Sequence, residues 1–205
     1  DDMPGSKEKV RPDISAILKP GSNRASRHVQ DLPTLKALVD ELKANKFRIV
    51  LTQGVFDLIH EGHAKYLEMA KSYGDVLIVG IDSDELTKIR KGKNRPVVPQ
   101  EERIEMLVHL RHVDMVVLRE AGEDIGDLIR LVKPDCLVTS HSTKDFTEQM
   151  ARDYDAYAKR IVTLPPQAIS TTSARVRDLT IEGAEKLADE ISTLTKDFID
   201  KIRKG

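Results

Sequence analysis

Gly54-Val55-Phe56-Asp57-Leu58-Ile59-His60-Glu61-Gly62-His63 decides how this chain is read. An apolar run at 47–51 precedes it, and a segment with helical periodicity follows it. Two histidines three apart, with a glycine between them, therefore stand where a strand hands over to a helix. Such a turn aims backbone N–H groups and the positive end of a helix dipole at one point, which suits a phosphate. Nucleotide triphosphate chemistry is the reading that follows.

Outward from this turn, apolar runs alternate with helical stripes. Strands are expected at 47–51, 76–81, 113–118, 135–139 and 161–164. The run Val76-Leu77-Ile78-Val79-Gly80-Ile81 has no polar alternation, as in a strand buried on both faces of a parallel sheet. Leu35, Leu38, Val39 and Leu42 predict a helix over 31–42, and Tyr66, Leu67, Ala70 and Tyr73 one over 64–73. Ser83 caps a short helix, residues 88–95 read as a basic loop ending at Pro96, and further helices fall at 101–110, 125–132 and 147–159. This order implies right-handed crossovers and a Rossmann-like, doubly wound parallel α/β sheet of about five strands. Ligands of such sheets bind beyond the strand carboxyl ends at a topological switch point, which is where residues 54–63 leave the first strand.

Residues 1–30, with Pro4, Pro12, Pro20 and little periodicity, read as a mobile or loosely packed extension. The nucleotide-handling domain is set at 31–180 and a C-terminal amphipathic helix at 181–205. That helix carries Leu187, Ile191, Leu194, Phe198 and Ile202 at steps of three or four, and packs on the domain or on a second subunit.

Composition narrows the function classes. The chain has 205 residues, 40% hydrophobic and 33% charged, with a net charge of −1. Nothing global draws it to DNA or an anionic membrane, so phosphate binding must come from local basic clusters. It has no Trp and only 4% aromatic residues, which argues against a stacking platform for single-stranded nucleic acid. The single cysteine, Cys136, sits in an apolar run and reads as a buried inert thiol. No apolar run approaches the roughly 18–20 residues of a membrane span, and the polar start Asp1-Asp2-Met3-Pro4-Gly5 lacks a signal core, so a cytoplasmic location is expected.

His60 and His63 could be a metal pair, but the zinc-protease pattern needs spacing i, i+4 with a glutamate after the first histidine. Here the spacing is i, i+3, and no metal-ligating residue is assigned. His109 and His112 serve as a control: they are also three apart, lack the glycine turn, and read as structural or surface residues. Asp57 reads either as a turn-stabilising carboxylate or as a site residue.

The stretch at 54–63 resembles the G-x-F-D-x-x-H-x-G-H signature of the cytidylyltransferase-like nucleotidyltransferases. Three further blocks match that superfamily in order: Ser83-Asp84-Glu85-Leu86-Thr87 with Lys91-Gly92; Arg95-Pro96-Val97 with Gln100-Glu101-Glu102-Arg103; and Ile169-Ser170-Thr171-Thr172. The resemblance covers roughly residues 32–180. It implies transfer of a nucleoside monophosphate from a triphosphate to a phosphorylated small acceptor, with release of pyrophosphate. His60, His63 and Lys91 take the catalytic places. Gly54, Val55, Phe56, Arg103, Ser170, Thr171 and Thr172 take nucleotide-binding ones. Lys65 and His141 fall where the acceptor is met. Lys88, Arg90, Lys93 and Arg95 have a bland reading as solvated charge. The resemblance also implies Mg2+, bound mainly through the nucleotide phosphates, and a homodimer.

Two branches compete. The lead-in helix at 31–42, Thr52-Gln53-Gly54-Val55-Phe56-Asp57 and Lys91-Gly92 before Arg95-Pro96-Val97 resemble heptose 1-phosphate adenylyltransferases. Leu77-Ile78-Val79-Gly80, Glu101-Glu102-Arg103 and Ile169-Ser170-Thr171-Thr172 resemble the cytidylyltransferases of choline phosphate and glycerol-3-phosphate. Those carry R-T-E-G before I-S-T, whereas this chain has Pro165-Pro166-Gln167-Ala168, so ATP is favoured over CTP. The acceptor is expected to be a sugar phosphate, although Thr139-Ser140-His141-Ser142-Thr143 stands where the heptose branch has G-G-D-Y. That substituted loop also motivates a third reading, a nucleotide-binding module without catalysis.

Overall fold

The computed structural model describes residues 14–141, 148–167 and 172–204. The chain divides into two compact units, Asp1–Gln167 and Ala168–Gly205. The described part of the first unit holds one sheet of six parallel strands: β1 (His28–Val29), β2 (Ile49–Gly54), β3 (Val76–Asp82), β4 (Met115–Arg119), β5 (Cys136–Ser140) and β6 (Ile161–Leu164). Their order in space is β1-β4-β3-β2-β5-β6. After β2 the chain builds outward through β3 and β4, then returns to place β5 and β6 on the other side. The order therefore reverses beside β2, and the carboxyl end of β2 is the switch point.

Eight described helices surround or connect the strands: α1 (Ile14–Leu18), α2 (Arg24–Arg27), α3 (Leu32–Ala44), α4 (Glu61–Lys71), α5 (Asp84–Lys91), α6 (Gln100–Val108), α7 (Asp127–Val132) and α8 (Glu148–Tyr154). Side chains along each strand alternate between two cores. Ile49, Leu51, Ile78 and Met115 face Leu35, Leu38, Val39, Leu42, Ile129 and Val132 of α3 and α7. Val50, Leu77, Val79 and Val116 face Tyr66, Leu67, Ala70, Ile104 and Leu107 of α4 and α6. Every residue of β3 is buried, as its unbroken apolar run requires. α9 (Thr172–Lys204) forms the described part of the second unit.

The alternating parallel architecture is as expected, with three differences. The segment read as a loose extension is folded from residue 14 onward. It supplies α1, α2 and a sixth strand, and it buries Ile17 and Val29. β1 is two residues long and exists by pairing with the free edge of β4. The basic stretch read as a loop at 88–95 is helical as far as Lys91, because Ser83 accepts from the Leu86 N–H and the helix buries Leu86 and Thr87. The C-terminal helix begins at Thr172, so the boundary placed at 180 falls inside α9.

Candidate active site

The turn after β2 is held in an uncommon backbone shape. Phe56 and Leu58 have φ of 52° and 46°, the left-handed region that side chains disfavour. Asp57, between them, is 3% exposed. Its carboxylate accepts the N–H groups of Val97 and Val98 at 2.9 and 3.0 Å and pairs with Arg95 at 3.3 Å. Asp57 therefore ties this turn to the loop before α6, which decides its role in favour of structure. A Cβ at Gly54 would come within 3.3 Å of the Phe56 ring, closer than an ordinary contact.

His60 is the N-cap of α4. Its Nδ1 accepts the Gly62 N–H at 3.0 Å, and Nδ1 of His63 accepts the His60 N–H at 3.3 Å. The two histidines thus do for this helix what Ser and Glu do in an ordinary capping box. An imidazole nitrogen that accepts carries no proton, so each neutral ring keeps its proton on Nε2. The ring centroids lie 4.2 Å apart, and Phe56 packs 5.8 Å from His63. The His63 pKa is lowered to about 4, chiefly by burial, with the His60 and Lys91 charges acting in the same direction and Asp57 opposing them. At neutral pH the His63 ring is an uncharged donor. Lys91 closes α5 and is exposed, and Gly92 ends that helix with φ of 100°.

Arg103 lies behind the turn and is 1% exposed. Its Nε donates to Val98 O at 2.9 Å. Its two terminal nitrogens donate to Val55 O at 2.5 Å, Asp82 O at 3.0 Å and the Asp84 carboxylate at 2.7 Å. The guanidinium is committed to protein acceptors and braces the turn from behind. Lys65 is exposed on α4 and ion-paired with Glu61 one turn earlier. His141 follows β5, is exposed, and donates its backbone N–H to Leu164 O at 3.0 Å. Ser170 and Thr171 lie outside the described residues, as do Ser142 and Thr143, and Thr172 opens α9 in the second unit. His109 and His112 contact Glu105 and Glu68 on the surface, as the control reading required.

Sequence reasoning missed a charged cluster at the carboxyl ends of β3 and β4. Asp82, fully buried, bonds Arg119 at 2.7 Å and also pairs with Arg90. Burial lowers the Arg119 pKa from its ordinary value. The signal was an aspartate directly ending the apolar run of β3. Gln100 was also missed: its side chain accepts the Asp84 N–H at 2.8 Å and docks α6 on the start of α5. Two open cavities lie elsewhere. One, of 660 Å³, runs along β1 and β4 and includes Arg24, His28 and Glu123; the other, of 700 Å³, sits at strand amino ends near Arg48 and Asp135. Neither is lined by His60, His63 or Lys91.

Known proteins are similar to this chain in sequence and fold. The cytidylyltransferase-like family model matches residues 51–177. The Bifunctional protein HldE of Helicobacter pylori (strain G27) is 47% identical over 111 residues, which is 54% of this chain and 24% of that protein. The Bifunctional protein HldE of Desulfatibacillum aliphaticivorans is 32% identical over 151 residues, 74% of this chain and 31% of that protein. The chain thus spans about a quarter to a third of these relatives. Among solved structures, the pantoate-beta-alanine ligase of Francisella tularensis superposes with a TM-score of 0.54 at 16% identity, over 80% of this chain and 78% of that one. The lipopolysaccharide core biosynthesis protein of Thermoplasma volcanium GSS1 gives 0.51 at 24% identity, over 58% and 98%. At such identities these two structures speak to the fold alone. With the histidine turn inside the matched span, this chain belongs to the cytidylyltransferase-like family.

Proposed function

We propose that this protein is a nucleotidyltransferase that moves the adenylyl group of ATP onto a sugar phosphate and releases pyrophosphate. The observation that carries the reading is the reciprocal capping of His60 and His63. It leaves two neutral Nε2–H donors at the start of α4, beside the switch point, with Lys91 near enough to act on His63. In the reaction a phosphate oxygen of the acceptor attacks the α-phosphorus, the bond to the β-phosphate oxygen breaks, and pyrophosphate leaves with that electron pair. No covalent enzyme intermediate is required. Catalysis is then alignment plus stabilisation of charge on the transferred and leaving oxygens. The histidines donate to those oxygens without the repulsion that two adjacent cations would suffer, the N–H groups of the α4 turn add their dipole, and Lys91 neutralises charge on the triphosphate.

Among the described residues, no group of three or more His, Cys, Asp or Glu could hold a metal ion. Magnesium, implied by the family resemblance, would be bound mainly through the nucleotide phosphates and neutralise part of their charge. The preference for ATP and a sugar phosphate is supported by the blocks at 31–42, 52–57 and 91–97 that resemble heptose 1-phosphate adenylyltransferases, by the likeness to Bifunctional protein HldE, and by the missing arginine at Pro165-Pro166-Gln167. Pyrophosphate release measured with ATP and CTP against a panel of sugar phosphates and phospho-alcohols tests the proposal. Turnover with ATP and a sugar 1-phosphate is the expected result. Turnover only with CTP and a phospho-alcohol moves the chain to the other branch, and nucleotide binding without turnover across the panel makes it a binding module.

A further inference from the structure

α9 is 33 residues long and displays an apolar seam. Leu187, Ile191, Leu194, Phe198 and Ile202 are each between 55% and 69% exposed. Leu187 and Phe198 are eleven residues apart, as are Ile191 and Ile202, and as are Gly183 and Leu194. Eleven residues in three turns is about 3.67 per turn, close to the period of an unstrained helix. A seam with this repeat runs almost straight along the helix from Gly183 to Ile202. That shape fits a second long helix lying alongside.

We infer that α9 pairs with α9 of a second copy of this chain, antiparallel, with Leu187 level with Phe198, Ile191 with Leu194 and Gly183 with Ile202 of the other copy. Three observations support this partner and this direction. First, the seam residues have unequal sizes, and the antiparallel register evens them out. Each layer then joins a smaller residue to a larger one or two of similar size, whereas a parallel pair would stack Phe198 on Phe198 and leave Gly183 facing Gly183. Second, Ala184, Ala188 and Ile199 share one flank of the seam. In the antiparallel register Ile199, 42% exposed, falls level with the gap between Ala184 and Ala188 of the other copy. In a parallel pair the same side chain would meet the flank that carries Asp197 and Lys201. Third, charge is graded along the helix. Glu182, Glu185, Asp189 and Glu190 dominate residues 182–190, while basic residues lead towards the end with Lys196, Lys201 and Arg203. Antiparallel pairing sets the acidic stretch beside the basic one and opposes the helix dipoles. Asp197 lands level with the gap between Lys186 and Glu190 on the same flank of the other copy. The inference is independent of the nucleotidyltransferase reading.

Sedimentation equilibrium of the full chain tests the pairing. A dimer is expected at tens of micromolar protein. Ile191→Asp/Leu194→Asp, which puts charges into the two central layers, should weaken it by about 100-fold or more. The thermal transition of the first unit in this variant, unchanged from that of the parent, shows that the domain still folds. A monomeric parent, or a dimer unaffected by the double variant, overturns the proposal. So does a monomer that co-sediments with anionic phospholipid vesicles, which assigns the face to a membrane surface. Cysteine cross-linking tests direction, with the parent chain and its buried Cys136 as control. Neither Leu187→Cys nor Phe198→Cys should form a disulfide-linked dimer alone, and their equimolar mixture should. Cross-linking of Leu187→Cys with itself overturns the antiparallel arrangement.

Discussion

His63 is half-buried beside another imidazole and within reach of the Lys91 charge, and its pKa of about 4 follows from that placement. Between pH 4 and 6.5 the unfolded chain protonates this histidine and the folded chain does not. The unfolded state binds more protons there, so stability is full above pH 6.5 and falls as the pH drops towards 4. The His63 contribution is up to about 3 kcal/mol. Urea unfolding of the parent and of His63→Ala at pH 7 and pH 4.5 should show a smaller acid loss in the variant; equal losses would remove His63 as the source. The same substitution deletes one donor from the proposed site. Turnover, read as pyrophosphate release, should fall by about 100- to 1,000-fold at pH 7, where the fold is retained. Near-normal turnover would take His63 out of the chemistry. Arg103 calls for the opposite signature. Arg103→Met abandons three carbonyls and the Asp84 carboxylate that share one buried guanidinium. A loss of about 3–5 kcal/mol in urea is expected, with any activity loss tracking the unfolded fraction. A fully stable variant that no longer binds nucleotide would restore Arg103 to direct contact.

Elements carry the site because backbone atoms do much of the work. Gly80 on β3 shows how little room the sheet leaves: a Cβ there would sit 2.6 Å from Leu128 Cδ2, 3.1 Å from Arg119 Cδ and 3.3 Å from Gln53 Cγ. Gly80→Ala should cost about 1–3 kcal/mol by forcing α7 and the Arg119 side chain outward, measurable as a lowered urea midpoint with unchanged m-value. Packing of this kind also explains what could be read in advance. The four inner strands were legible because a parallel strand covered on both faces keeps an apolar run, β6 was legible from its short Ile-Val-Thr-Leu run although Thr163 is exposed at the sheet edge, and the helix turns were legible because capping is local. β1 was not, because His28-Val29 has no period of its own and is a strand only through the free edge of β4. The histidine turn was legible in the same local way. The Arg103 brace was hidden because its acceptors are the carbonyls of Val55, Asp82 and Val98, and carbonyls have no identity in a sequence. His60 as a cap was hidden because its acceptor nitrogen takes a place usually held by Ser, Thr, Asp or Asn.

At the scale of the whole first unit, the sheet has two outer strands, and β1 protects one side. Without β1, β4 would present an unpaired row of backbone groups that invites strand addition from another chain. The segment before α3 is bound to the body by more than this strand. Arg27 donates to Val108 O and Val113 O at 3.0 and 3.1 Å, Arg24 pairs with Glu101 and Glu105 of α6, and Ile17 and Val29 are buried in the core beneath α3. Removal of residues 1–30 deletes both apolar side chains and so uncovers the core they pack against together with the β4 edge. Burial of two such side chains is worth about 1.5–3 kcal/mol each, so the truncated chain should lose about 3–6 kcal/mol of stability. It should also scatter light increasingly with concentration at temperatures where the full chain stays clear, because an uncovered edge is a pairing template as well as lost packing. Lys residues placed at His28 and Val29 in the full chain separate the two effects. They should cost stability through lost burial of Val29, yet leave the edge guarded by charge, so unfolding shifts while scattering remains low. A truncated chain as stable and as clear as the parent would mean that the segment only lies on the sheet, and that β4 needs no cover.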